Sequence, residues 1–279
     1  MFLRHRESWT IANGYSKEKK RNWRFTNMAV KLTKPEMINQ QVGWCGGCGH
    51  GIIQRLIAEC CEELGIVEKT VQVVDIACAY WSIDTLNCDG IAGPHGRCAA
   101  VATGIKKVRP EANVYVHAGD GCSYVIGLSE TCFAAQRNVP ITMIVVNNGI
   151  FGMTGGQMCL ATTLVGDKTT SSKKGRDDRV AGQPFDMLNI ISQYPIEYAA
   201  RGALYDPQHI NETKKMIKKG FENQMNDKGF SIIEVLSPCP TNWKMTPVES
   251  MKKLKEENEK VFPVKVYVDH TNNGGEANG

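Results

Sequence analysis

The chain has 279 residues, 42% hydrophobic and 22% charged, with a formal net charge of +4. This length admits one large α/β unit or two small domains, and the composition excludes a disordered chain, a collagen-like rod and a coiled coil. The longest apolar run, Ile141 to Val146, is interrupted by Thr142 and falls far short of the ~20 residues of a spanning helix, so no membrane segment is expected. Nine Lys/Arg against two Glu fall within residues 1–34 and the remainder is close to neutral, so a nucleic-acid partner is not demanded.

Residues 1–34 read as a basic N-terminal arm without hydrophobic period, disordered or not native, since Met28 opens a plausible start. An Arg-rich, acid-poor lead also suits an organelle transit peptide. Residues 35–270 read as the folded domain. Within it, Ile52, Ile53, Leu56, Ile57, Cys60 and Leu64 recur at helical spacing and stop at Gly65. A valine-rich strand is predicted over Val71–Ala77, a small-residue helix over Arg97–Val108 and a strand over Asn113–Ala118 that runs into Gly119-Asp120-Gly121. A helix over Ser123–Arg137 and a strand over Ile141–Val146 follow, ending in Asn147-Asn148-Gly149. Residues 152–184 show little period and read as a functional lid or binding loop. A helix over Pro207–Met225, a strand over Phe230–Leu236 and a helix over Pro247–Glu259 complete the domain, and 271–279 read as a flexible tail. Strands alternating with helices imply an α/β fold, a parallel sheet with helices on both faces and ligands beyond the carboxyl ends of its strands.

Gly-Asp-Gly alone is a common surface turn, and so is Asn-Asn-Gly. At the ends of consecutive strands, 28 positions apart, a right-handed crossover brings Asp120 and Asn148 to one sheet edge. A carboxylate and an amide oxygen there suit Mg²⁺, with the Ile150 carbonyl as a third ligand and substrate phosphates to complete the shell. The glycines admit a diphosphate and the following helix aims N–H groups at it. The pair resembles the thiamine-diphosphate motif.

Eleven cysteines is a high, odd count. Without an apolar leader, reduced thiols in a cytoplasmic protein are expected, doing metal, cluster or redox work. Trp44-Cys45-Gly46-Gly47-Cys48 is similar to the thioredoxin motif, but the residues before it are too polar for a central strand. Cys78 and Cys239 follow strands of the same sheet, so both thiols are placed at the ligand edge. Four thiolates suit a 4Fe–4S cluster, and zinc competes. Cys60, Cys61, Cys88, Cys98, Cys122, Cys132 and Cys159 read as small core residues.

Read together, WCGGCGHG (44–51), His95-Gly96-Arg97, Gly119-Asp120-Gly121, NNGIFGMTGGQ (147–157), Thr162-Thr163-Leu164, Lys168-Thr169-Thr170, Gly175-Arg176-Asp177 and PCPTNW (238–243) resemble the thiamine-diphosphate-binding β subunit of 2-oxoacid:ferredoxin oxidoreductases, from about Lys34 to Val268. The MTGGQ and TNW stretches look most like the 2-oxoisovalerate or 2-oxoglutarate branch. The resemblance implies one 4Fe–4S cluster on Cys45, Cys48, Cys78 and Cys239, and Mg²⁺ on Asp120, Asn148 and the Ile150 carbonyl. It implies thiamine diphosphate against Gly49, His50, His95, Gly119, Asp120, Gly121, Asn148, Ile150, Gly152, Met153 and Thr154, with Thr154 and Gln157 in the substrate pocket. His50, His95 and Arg97 are candidate catalytic or positioning residues for the cofactor or the substrate carboxylate. The implied reaction is oxidative decarboxylation of a 2-oxoacid to an acyl-CoA, with electrons passing to ferredoxin. Partner subunits of α, γ and δ type are implied, one of them supplying the glutamate that activates the cofactor. The sequence departs from the family at Gly46 (usually Pro), at Cys122 (often acidic) and at Cys159-Leu160. A non-oxidative thiamine-diphosphate decarboxylase or synthase half and a zinc-binding scaffold are the alternatives.

Overall fold

The computed structural model describes residues 33–40 and 43–270. The arm and the tail expected from the sequence therefore lie, apart from Thr33 and Lys34, outside the described residues. The strands are β1 (Thr70–Asp75), β2 (Asp89–Gly93), β3 (Asn113–Gly119), β4 (Thr142–Asn147), β5 (Ile150–Phe151), β6 (Gln157–Met158), β7 (Tyr198–Ala203), β8 (Ser231–Leu236) and β9 (Lys265–Asp269). The helices are α1 (His50–Glu63), α2 (Cys98–Val108), α3 (Leu128–Gln136), α4 (Asp178–Ala181), α5 (Met187–Ile191), α6 (Pro207–Met225), α7 (Pro240–Trp243), α8 (Pro247–Lys253) and α9 (Glu259–Val261).

Seven strands form one sheet in the order β2-β1-β3-β4-β8-β7-β9, parallel except for β9, which runs antiparallel to β7. Successive side chains alternate between the two faces. On one face Val114, Val116, Met143 and Val145 pack against Ala99 and Ala102 of α2, Ala134 and Ala135 of α3, and Leu188 and Ile191 of α5. On the other, Tyr115, Ile144, Val146, Ile233 and Val235 pack against Ile53, Leu56 and Ile57 of α1 and Ile217 and Phe221 of α6. Burial on both faces explains why the central strands read as unbroken apolar runs rather than alternations.

Three strands of this sheet escape the sequence pattern, as do the two-residue β5 and β6 outside it. β2 is a Gly- and Asp-containing edge strand that stays half exposed. β7 is wholly buried although it reads Tyr-Ala-Ala-Arg-Gly-Ala, because Arg201 is neutralised inside the protein. β9 is an exposed edge strand. The single helix predicted over Ser123–Arg137 is two pieces, a wide turn over Gly121–Ile126 and then α3. Gly127 separates them, because any Cβ there would meet the Gly96 carbonyl. The predicted C-terminal helix is α8, opened by a Thr246–Glu249 capping box, and it continues through a wide turn at Leu254–Asn258 into α9. Lys214 and Lys218 on α6 pair with Glu59 and Glu63 of α1.

Residues 152–184 hold little regular structure but are tied down from within. Arg176 is buried and donates to the carbonyls of Thr163 (2.7 Å), Leu160 (2.8 Å), Gly182 (2.9 Å) and Ala181 (3.2 Å). Among the described residues no helix is long and apolar enough to cross a membrane.

Candidate functional site

The pairing of β3 with β4 puts Gly119 opposite Val146, so Asp120 and Asn148 both stand just past the carboxyl ends of adjacent strands. Asp120 is buried, and its carboxylate accepts from the Gly121 amide (2.8 Å), the Gly149 amide (2.8 Å) and the Thr162 hydroxyl (2.5 Å). Burial nevertheless raises its pKa to about 6. Asn148 turns its side-chain oxygen back to the Ile150 amide (3.1 Å), and its carbonyl accepts from the Trp243 indole (3.1 Å). Its neighbour Asn147 points the other way, donating to Glu234 (2.8 Å), which also takes Arg201 (2.7 Å) and Tyr124 (3.0 Å). One asparagine thus anchors the strand tip in the core while the next faces the edge, as the pleat requires.

Between these tips lies a small cleft, partly open to solvent. His50, His95, Gly119, Asp120, Gly121, Asn148, Ile150 and Gly152, all expected at the site, line it together with Cys78. Asp75, Ala77, Ala79, Cys122 and Phe151 line it as well and were not foreseen. Asp75 ends β1 inside an apolar run, where the only signal was a carboxylate at a strand tip.

Some expected residues are elsewhere. Gly49, Met153 and Thr154 do not line the cleft. A Cβ on Gly49 would collide with the Ser237 hydroxyl, so its place is set by close packing against the end of β8. Met153 is exposed, and Thr154 spends its hydroxyl on Gln157 (2.6 Å). Arg97, expected beside the two histidines, instead pairs with Glu130 of α3 and also lies outside the cleft.

The two cleft histidines sit in opposite environments. His95 Nδ1 lies 2.6 Å from the buried carboxylate of Asp75, and this hydrogen bond is the main cause of a pKa raised to about 10. His50, the first residue of α1, stacks on Trp44 and is fully buried, which lowers its pKa to about 4. Its Nδ1 meets His117 Nε2 of β3 at 3.1 Å.

At one rim of the cleft the loop 45–48 turns back on itself through a Cys48 N–H to Cys45 carbonyl bond (3.0 Å), with Gly47 at φ +78°. Trp44 fastens this loop to the far side by donating to the Cys78 carbonyl (2.8 Å). Cys48 has its thiol pKa pushed up to about 12 by burial, with further upward pressure from the sulfurs of Cys239, Cys78 and Cys45. A Cβ on Gly152 would stand 3.4 Å from the Cys78 sulfur and 3.7 Å from that of Cys239. Asn242 donates to both the Cys239 sulfur (3.4 Å) and the Gly152 carbonyl (3.2 Å). The four cysteines singled out from the sequence therefore converge, next to a cleft that holds the oxygens of Asp120 and Asn148 and the imidazoles of His50 and His95.

The family model of the thiamine pyrophosphate enzyme C-terminal TPP binding domain matches residues 73–235, the span that holds the end of β1, all of β3 and β4 and most of β8. The ketoisovalerate oxidoreductase subunit VorA of Methanothermobacter thermautotrophicus is 42% identical over 230 residues, covering 82% of this chain and 48% of that one. The 2-oxoglutarate synthase subunit KorB of Archaeoglobus fulgidus is 36% identical over 213 residues, covering 76% of this chain and 75% of its own. Among solved structures, the 2-oxoglutarate:ferredoxin oxidoreductase from Magnetococcus marinus with 2-oxoglutarate, coenzyme A and succinyl-CoA bound superposes with a TM-score of 0.68 at 26% identity, over 81% of this chain and 74% of that one. The chain belongs to the thiamine pyrophosphate enzymes, within the group formed by the 2-oxoacid oxidoreductase subunits. It spans about half the length of the ketoisovalerate subunits it matches.

Proposed function

We propose that this chain is the thiamine-diphosphate-binding subunit of a 2-oxoacid:ferredoxin oxidoreductase, acting in oxidative decarboxylation of a 2-oxoacid of the 2-oxoisovalerate or 2-oxoglutarate type to an acyl-CoA. The observation that carries the reading is the meeting of four thiols beside a cleft closed by Asp120 and Asn148. The donors fit the groups. Asp120, Asn148 and the Ile150 carbonyl are hard oxygens suited to Mg²⁺ on a diphosphate, and the glycines at 119 and 121 keep side chains out of that corner. Cys45, Cys48, Cys78 and Cys239 are suited to a 4Fe–4S cluster, and Gly152 leaves room between two of the sulfurs.

When bound, thiamine diphosphate supplies an electron sink for decarboxylation and the cluster a one-electron exit toward ferredoxin. Asp120 and Asn148 fix the metal end of the diphosphate. His95, held protonated by Asp75, offers a positive donor to an anionic group. The similarity of relatives named for ketoisovalerate and 2-oxoglutarate supports the substrate class. In this reading the chain needs α-, γ- and δ-type partners in the cytoplasm and is inactive alone.

The test is anaerobic purification of the assembled complex, metal and sulfide analysis, and assay of a 2-oxoacid panel with coenzyme A and a viologen dye. About four irons per chain and dye reduction by a branched or dicarboxylic 2-oxoacid are expected. One zinc and no turnover points to a scaffold, and decarboxylation without dye reduction to a non-oxidative enzyme; either result overturns the reading.

A further inference from the structure

The cleft wall beside Trp44 holds a buried chain of polar groups that none of the roles above uses. It runs from His50 through His117 to Ser82, all three with at most 2% of their surface exposed. Beyond the His50–His117 contact of 3.1 Å, His117 Nδ1 lies 3.4 Å from the Ser82 hydroxyl. A serine hydroxyl has one hydrogen to give. Of the acceptors within reach, the Ala79 carbonyl at 2.8 Å is much nearer than the Gln72 side-chain oxygen and His117 Nδ1, both at 3.4 Å. Giving the proton to Ala79 turns a lone pair of Ser82 toward His117, which then carries its proton on Nδ1. With Ser82 committed to Ala79, the other tautomer of His117 would set two lone pairs face to face inside the core. With Nδ1 protonated, His117 Nε2 is an acceptor, and His50 must donate to it from its own Nδ1. A neutral imidazole has one N–H. His50 Nε2, which has no partner among the described residues, is therefore a bare lone pair on the side of the ring turned away from His117, toward the cleft that His50 lines.

We propose that His117, oriented by Ser82, is a positioning residue that locks His50 in its Nδ1–H tautomer, so that the cleft offers a hydrogen-bond acceptor at His50 Nε2 and takes an N–H, O–H or S–H group of the bound ligand there, not a carboxylate or phosphate. This narrows the sequence expectation, in which His50 contacts the cofactor or the substrate carboxylate, to a donor group of the ligand. A carboxylate oxygen against His50 Nε2 would meet lone pair with lone pair. Trp44, stacked on the ring at 5.8 Å between centroids, holds its plane but cannot choose its tautomer.

The tautomer is testable without any assumption about function. Histidine-selective ¹⁵N NMR of the labelled chain, with the His50 signals assigned by their loss in His50→Gln, is expected to show a protonated Nδ1 and a bare Nε2 for His50. A protonated Nε2 overturns the proposal. The second arm rests on the proposed function and uses the assembled oxidoreductase. Ser82→Ala and His117→Leu are expected to lower kcat by about tenfold or more, as wrong-tautomer variants do elsewhere. His117→Gln, whose amide can accept from His50 and donate to Ser82, is expected to recover most of the rate. Thiamine diphosphate affinity should stay within about twofold in all three, separating orientation from cofactor loss. Equal damage in His117→Gln and His117→Leu, or an unchanged rate in Ser82→Ala, overturns the positioning role. A wild-type complex that oxidises no 2-oxoacid overturns the function and leaves the proposal to stand or fall on the NMR result.

Discussion

Cys78 and Cys239 follow strands that are not neighbours, with β3 and β4 lying between β1 and β8, yet both sulfurs approach the same face of Gly152, at 3.4 and 3.7 Å from where its Cβ would be. Gly152, in the loop after β4, lies between them and puts no side chain into the space beside the two sulfurs.

Gly152→Ala places one methyl in ordinary contact with the sulfurs and should be tolerated. Gly152→Val adds two methyl groups to a space that holds none, and the strain of such overpacking is about 1–3 kcal/mol. The expected outcome is loss of most of the visible cluster absorbance in the valine variant and retention in the alanine variant. Iron analysis of both checks it, and a fully loaded valine variant refutes the geometry.

The metal-binding role proposed for Asp120 can be separated from its structural one. Asp120→Ala strands the donors of Gly121, Gly149 and Thr162 and should cost about 1–3 kcal/mol of stability. Thr162→Val breaks one of those bonds and leaves the carboxylate in place. Calorimetry should show Mg²⁺-dependent thiamine diphosphate binding weakened by more than roughly a hundredfold in Asp120→Ala and by far less in Thr162→Val. Parallel losses in the two would show that Asp120 serves only the fold.

The histidines give stability opposite pH limbs. His95 has a folded pKa of about 10 against the usual 6.5, so its contribution is complete below pH 6.5 and fades as pH climbs toward 10. His50 has a folded pKa of about 4, so the unfolded chain binds the extra proton and stability drops as pH falls from 6.5 toward 4. Urea unfolding at a series of pH values should show His95→Gln flattening the alkaline limb while the acid limb stays. An alkaline slope identical to wild type would show that the Asp75 pair contributes nothing.

Arg201 is fully buried between Glu234 and Asp186. Removing one member of such a network leaves an uncompensated charge in the interior. Arg201→Met should therefore destabilise by about 3–5 kcal/mol in chemical denaturation. Because Glu234 also holds Asn147, the same variant should loosen the β4 tip, seen as faster amide exchange at Asn148 and Gly149. A loss under about 1 kcal/mol would show that methionine fills the space as well as the ion pair does.

The central strands and α1, α2 and α6 were legible because burial on two faces or one stripe leaves a period in the residues themselves. β7 was not, since its small residues and Arg201 read as loop until Glu234 and Asp186 are brought alongside. The same holds at the site. Asp120, Asn148 and the Cys45–Cys48 pair announce themselves by type and spacing, Cys78 and Cys239 by standing at strand ends, and His95 only through the family resemblance, whereas Asp75 reads as the end of a buried strand. Arg97 sits in a promising motif, but Glu130, close only in space, draws it away from the cleft.

From residues alone came the inventory of donors and the tips they occupy, because strand ends, turn glycines and thiol spacing are local properties of the chain. What folding added was pairing across distance: which oxygen each amide finds, which carboxylate raises His95, and how His117 and Ser82 choose the proton of His50. Those partners lie tens of residues apart, and a hydrogen bond or a shifted pKa depends on a few ångströms of separation and on exclusion of water, neither of which is encoded by neighbours in sequence.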